Sequence, residues 1–257
     1  AAAALLNGTL SHALDFDDTH FDHIGHPSVV TVSAAMAVGQ ALGGTGYAPD
    51  VAAVIDAALI GAEGSVAVGL WLGRAHYQVG YHQTATAGAF GATLAAGRLL
   101  ALDTAQMRHA LGLCATAASG LKGQFGTMGK PLNAGLAARC GVEAAYWAQA
   151  GMTSAHDGLA GPLGFGATHH GAGAAQEFDW RMERVSHKFH ACCHGLHAAL
   201  EAVAGLEFRA AQTVRVHTHP RWLTVCNQPQ PDTGLGAKFS YAQVLAMAAH
   251  GIATGDI

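Results

Sequence analysis

DVAAVIDAALIGAEGSVAVGLWLG, residues 50–73, is the stretch on which the reading of the fold turns. Asp50 stands where a helix wants an N-cap, and Val51, Val54, Ile55, Ala58 and Leu59 follow at the 3.6-residue period of one helical face. Residues 51–73 are also the most membrane-like part of the chain. Asp56 and Glu63 lie inside that span, and at mid-bilayer each would cost about 2.5–3.5 kcal/mol. A buried pair of helices in a water-soluble domain is the better reading.

The same punctuation recurs to either side. Asp103 with Gln106 makes a capping-box pattern; Met107, Leu111, Cys114 and Ala118 form one stripe, and Gly120 can end it. Residues 130–151 and 197–206 read as further helices. Near Thr213 the period changes, because Val214, Val216 and Thr218 alternate with Arg215 and His217 as in a half-buried strand. Pro220, Pro229 and Pro231 then punctuate the chain, and Ser240 with Gln243 opens a last helix ending near Gly251. The expected fold is mainly α, with a large all-α helical domain over residues 1–206. The start of a smaller α+β lid domain is expected over 207–257. The opening AAAALLNG reads as the middle of a helix, so N-terminal helices are expected to be missing.

Composition sets bounds. Half of the 257 residues are apolar (51%), only 12% are charged and 7% are aromatic. Such a chain can bury a core, and its many small residues call for close helix–helix contact. A net charge of -4 leaves no electrostatic footprint for nucleic acid, and no basic run marks a membrane surface. An anionic ligand would need a local cluster of cations. The five cysteines are odd in number, with Cys192 and Cys193 adjacent, and suggest a reducing cytoplasm rather than a disulfide framework.

Four polar islands interrupt this apolar background: NGTLSHALDFDDTHFDHIGHPS (7–28), GYHQTATAGAFGA (80–92), GLKGQFGTMGKPLNAGLAA (120–138) and HKFHACCHGLHAALEA (187–202). Polar groups between packed helices are costly unless paired, so the islands are expected to share a cleft. Taken singly, each also reads as a capping turn or a satisfied core histidine. Other motifs fail. Gly129-Lys130 is no phosphate loop, because Gln124 and Pro131 occupy its required positions. Gly164-Phe-Gly166 lacks the third glycine of a dinucleotide fingerprint, and no G-x-S-x-G is present. Metal binding is the rival reading. His187, His190, His194 and His197 would form one stripe on a helix, and His20, His23 and His26 repeat at three. With no H-E-x-x-H and no C-x-x-C, the expectation is no metal and no organic cofactor.

N-G-T-x-x-H-A-L-D-F-D-D-T followed by H-P-S resembles the opening signature of the MmgE/PrpD family. The other islands resemble its G-x-H-x-T, G-x-M-G-K-x-L-x-x-G and K-x-x-x-C-C-x-x-x-H-A signatures, in order and over nearly the whole chain. The resemblance implies a large all-α domain with a smaller lid, usually as a homodimer. Known activities of the family are 2-methylcitrate dehydration, cis-aconitate decarboxylation and iminodisuccinate epimerisation. Motif by motif it implies His26, His82, Lys130 and Lys188 as catalytic residues, with Asp15, Thr19, Cys193 and His197 binding substrate. Ala191 departs from the proline usual in the family. The expected activity is cofactor-independent dehydration of a 2-methylcitrate-like hydroxy acid through an enediolate. Epimerisation of a small dicarboxylate and a catalytically incomplete fragment are the alternatives. The partner is then a small anionic carboxylate. Lys130 and Lys188 would stabilise developing negative charge, and His26 and His82 would move protons.

Overall fold

A computed structural model describes residues 1–171, 179–207 and 213–257. The helices are α1 (Ala2–Ser11), α2 (Pro27–Gly43), α3 (Val51–Val79), α4 (Gln83–Leu99), α5 (Thr104–Ala117), α6 (Gly129–Gln149), α7 (Phe165–Thr168), α8 (His194–Val203), α9 (Pro220–Leu223), α10 (Gly234–Ala237) and α11 (Tyr241–Ala249). Among the described residues there is no β-strand, only isolated bridges such as Thr19 with Ser186. The fold is mainly α.

The chain divides into two compact units. The first comprises residues 1–12, 17–123 and 131–186; the second comprises residues 13–16, 124–130 and 187–257. The change-over at Ser186–His187 places α8 in the second unit. The boundary expected at 206–207 abuts residues 208–212, which lie outside the described residues.

In the first unit, α3 packs against α2 and α4. The Asp50 cap forms as expected, its Oδ1 accepting from Ala53 N at 2.7 Å, and Asp103 with Gln106 closes a full capping box on α5. Small residues set the helix spacing. A Cβ on Gly61 would lie 2.5 Å from Gly91 O, and one on Gly8 would lie 2.9 Å from Gly135 Cα. At these crossings of α3 with α4 and of α1 with α6, backbone rests on backbone, which only glycine allows. Val30, Ala34, Ala87, Phe90 and Ala138 belong to the core so formed.

The expected helix pair over residues 51–73 is a single helix up to Leu72, and α3 as a whole is two helical pieces joined at a kink. It runs on to Val79, with a break at Gly73, where φ is +69°; glycine takes this left-handed conformation without a Cβ clash. By length and composition α3 could cross a membrane, a test that the core helix of a globular domain also passes. Its Glu63 is buried. The carboxylate accepts from Arg181 N at 2.8 Å and from Met182 N at 2.6 Å, fixing that segment to the helix. Glu63→Ala is expected to cost about 1–3 kcal/mol by leaving those donors without their acceptor. Urea unfolding measures this, and an unchanged midpoint would show that the tether adds nothing.

In the second unit, α8 packs against α11 over Leu196, Leu200, Phe239 and Val244. Two expectations are corrected. Val214–Thr218 does not form a strand, and Val214 and Val216 are exposed; alternation makes a strand only where a partner strand supplies backbone hydrogen bonds. The four-histidine stripe does not form either, because α8 starts at His194 and His187 and His190 precede it. His190 Nε2 instead pairs with Glu201 Oε1 at 2.8 Å.

Candidate functional site

The candidate residues fall into two groups, one in each unit. In the first unit the chain leaves α1 at His12 and reaches α2 through the D-F-D-D-T and H-P-S segments. His26 is the N-cap of α2, with extended backbone (φ -111°, ψ 95°) and Pro27 as the first helical residue. A residue before proline avoids the helical region, so the local sequence itself sets His26 at the mouth of the helix. Its backbone N donates to Thr84 Oγ1 at 3.0 Å. His82 caps α4 in the same way and donates its backbone N to Gly120 O at 3.0 Å. Gly120 has φ +148°, and a Cβ there would meet Ala85 Cβ at 2.3 Å, so this contact requires glycine.

Asp17 organises the imidazoles. His12 Nδ1–H donates to Asp17 Oδ1 at 2.7 Å, and His26 Nδ1 lies 3.1 Å from Oδ2. The rings of His12 and His26 meet edge-on at 4.6 Å, and His12 stacks over His82 at 6.3 Å. Burial alone would raise the Asp17 carboxyl, but His12 and His26 outweigh it and hold the group well below the usual carboxylate range. Asn133 Nδ2 donates to His82 Nδ1 at 3.2 Å. A neutral His82 therefore carries its proton on Nε2. Thr19 is tied to Ser186 by paired backbone hydrogen bonds of 2.9 and 2.7 Å. Its hydroxyl is buried with no hydrogen-bond partner among the described residues.

The second unit holds the cations. Asp15 has φ +52°, a conformation that a short polar side chain tolerates better than most. Its Oδ1 accepts from Lys130 Nζ at 2.6 Å and from Lys188 Nζ at 2.7 Å. All three side chains are buried, and together they carry one net positive charge. Lys188 Nζ also donates to Asp15 O and Cys192 O. Lys238, a buried lysine that the motifs did not point to, donates to Ala191 O at 2.8 Å. Ala191 N in turn donates to Thr254 Oγ1 at 3.0 Å. A proline at 191 has no N–H and could not make that bond, which accounts for the departure at this position.

Cys193 is the N-cap of α8. Its thiol sits lower than an ordinary thiol, first because Cys226 hydrogen-bonds to it. His197 Nε2–H donates to His190 O at 3.1 Å, and burial pushes the imidazole down to about 4. Only Nδ1 of His197 is left to meet a ligand.

His12 and Asp17 are groups that the motif reading did not single out and that the geometry brings beside His26. Both lie inside the opening signature, so the signal was present; what selects them is their geometry. His12, Asp17 and His26 have donor atoms within 4.8 Å of one another and could hold a divalent cation. The 2.7 Å between His12 and Asp17 is a hydrogen-bond length, however. Ligands on a tetrahedral metal with bonds of about 2.0–2.1 Å stand roughly 3.3 Å apart. His20 and His23 are buried among protein groups, His20 Nε2–H donating to Arg181 O at 2.8 Å and His23 wedged against Gly69 of α3.

Buried neutral histidines give the protein an acid limit. His76 Nδ1–H donates to His169 O at 2.6 Å and its Nε2 pairs with Thr86 Oγ1 at 2.8 Å. Burial lowers His76 to about 4 and His23 to about 3, from an ordinary 6.5. The unfolded chain therefore takes up protons first as pH falls below 6.5, and stability drops until the folded-state values are reached. The urea midpoint is expected to be flat above about pH 7 and to fall between pH 6.5 and 4. His76→Gln should shallow that fall, and an equal slope in the variant would count against it.

The protein is mainly α, with two buried lysines on one carboxylate and two histidines on another. The MmgE/PrpD N-terminal domain matches residues 1–178, and the chain belongs to the MmgE/PrpD family. Among curated proteins it is similar to cis-aconitate decarboxylase of Aspergillus terreus, 27% identical over 96% of this chain and 56% of that protein. It is also similar to the human cis-aconitate decarboxylase, 31% identical over 64% of this chain and 34% of that protein. The mouse enzyme of the same name is 28% identical over 64% of this chain. The chain spans about half the length of the Aspergillus relatives.

Proposed function

We propose that the protein is a lyase acting on a small polycarboxylate through a carbanion stabilised as an enediolate. Decarboxylation of a cis-aconitate-like tricarboxylate is the first reading. The observation that carries it is the buried Lys130–Asp15–Lys188 cluster with its net positive charge, a fixed counter-charge for a substrate carboxylate. The names of the relatives favour decarboxylation over the dehydration inferred from motifs alone. In this reading the C–C bond to one carboxylate breaks and carbon dioxide leaves. The electron pair passes into the enediolate of a neighbouring carboxylate, and His26 or His82 delivers a proton to carbon. Thr19 Oγ1, buried without a partner, would bind a carboxylate oxygen, with Cys193 and His197 as further substrate contacts. Both groups are assigned to one reaction because the family signatures that carry them resemble those of one enzyme family. The free cysteines favour a reducing, cytoplasmic setting.

Dehydration of a 2-methylcitrate-like hydroxy acid is the second reading. It needs a base for carbon and an acid for the departing hydroxyl, and the imidazoles around Asp17 could serve as both. Proton NMR of the protein with cis-aconitate and with 2-methylcitrate in deuterated water separates the two. New vinylidene signals from cis-aconitate, with solvent deuterium in the methylene beside the remaining carboxylate, support decarboxylation, and loss of water from 2-methylcitrate supports the second reading. A folded protein that leaves both acids unchanged would overturn the lyase assignment.

A further inference from the structure

We propose that His12 is a further proton-transfer residue, working from Nε2 and sharing the Asp17 carboxylate with His26; this rests on the lyase reading above. Three observations carry it. His12 is fully buried, and its Nδ1–H is committed to Asp17 Oδ1 at 2.7 Å. That bond fixes the tautomer, so a neutral His12 carries its lone pair on Nε2. Nε2 is itself buried and has no hydrogen-bond partner among the described residues. A buried acceptor without a donor is destabilising, and His12 differs from His23, whose ring nitrogens also have no hydrogen-bond partner among the described residues, in being held by a carboxylate beside two further imidazoles. The neighbours complete the case: the His26 ring stands edge-on at 4.6 Å, and the His82 ring stacks at 6.3 Å.

The charge balance gives the trio a definite use. Asp17 stays ionised and can balance one imidazolium. A second imidazolium beside the first would meet like-charge repulsion. His12 and His26 on one carboxylate therefore form a pair with one proton to give and one lone pair to receive it. In a dehydration, the neutral ring takes the proton from carbon while the protonated ring gives its proton to the departing hydroxyl, which leaves as water. In a decarboxylation, the protonated ring quenches the enediolate carbon and the neutral ring is recharged from water. A carboxylate that served only to cap a turn would not need an imidazole at each of its two oxygens.

The test uses an amide mimic. His12→Asn places an N–H near the position of Nδ1 and keeps the Asp17 bond, but it has nothing at the position of Nε2. A purely structural His12 predicts near wild-type kcat for this variant. Proton transfer from Nε2 predicts a kcat lower by about 10²–10⁴-fold, with KM within about twofold and an unchanged melting temperature. A kcat within twofold of wild type overturns the proposal. Nitrogen NMR of the ¹⁵N-histidine-labelled wild-type protein needs neither the variant nor turnover. An unprotonated Nε2 on His12, shifted on adding the unreactive tricarballylate, supports the assignment. A neutral His12 ring that carries its proton on Nε2 rather than on Nδ1 in the ligand-free protein overturns it. Absence of both turnover and tricarballylate binding would sink the lyase reading, while the observed tautomer would still decide for or against the arrangement of His12.

Discussion

His26→Gln is expected to lower kcat by about 10²–10⁴-fold while leaving KM and folding nearly unchanged, the range set by a positioned proton-transfer group. The side chain is 12% exposed, enough for a substrate to reach, and its Nδ1 stands 3.1 Å from the Asp17 carboxylate, which can balance its charge. Its backbone is held independently, by Thr84 and by the helix start at Pro27, so the substitution changes the imidazole and little else. The control follows from burial. His23, three residues earlier, reads from sequence as a mild site outside the H-P-S signature. It is fully buried, and the Gly69 backbone lies so close that a Cβ there would fall 2.2 Å from its ring. His23→Gln should destabilise the fold, and the exposed His156 is the proper control. Steady-state kinetics on the acid that the wild-type protein turns over gives the answer. A His26→Gln protein with wild-type kcat would move the proton-transfer role to His82 and His12.

Asp15→Asn is expected to be the most destabilising single change, at about 3–5 kcal/mol, the usual cost of removing one partner from a buried ion pair. Two ammonium groups converge on one carboxylate oxygen at 2.6 and 2.7 Å, and none of the three side chains is more than 3% exposed. An asparagine carries no charge to offset Lys130 and Lys188. Lys130→Met should cost less, because Lys188 still balances Asp15. Urea unfolding of both variants checks the order, and a milder effect for Asp15→Asn than for Lys130→Met would show that the carboxylate is not the hub.

The sequence by itself determined the mainly α class and several helix starts. Asp50 and Asp103 cap where their spacing says they should, because a cap is a contact over three residues and needs nothing distant. The same holds for His26, which Pro27 forces out of helical geometry. The abundance of glycine and alanine announced close helix contact, and Gly61 against Gly91 delivers it. Where short-range rules needed a distant partner they failed. Val214, Val216 and Thr218 have the alternation of a strand, but alternation describes one face of a sheet and cannot supply the neighbouring strand. His187 and His190 have helical spacing with His194 and His197, but α8 begins only at His194, where the preceding segment is already committed to Lys188, Lys238 and Thr254. Gly73 kinks α3 into two helical pieces. Tertiary structure alone decided which partners the polar residues meet. Side chains of similar type in one motif end in different states: His20 is bound to Arg181 O, His23 is packed against Gly69, and His12 is paired with Asp17, which gathers two imidazoles. The physical reason is that the cost of burying a polar atom depends on what the fold places beside it, and residues brought there from 58, 115 or 173 positions away leave no periodic mark in the sequence.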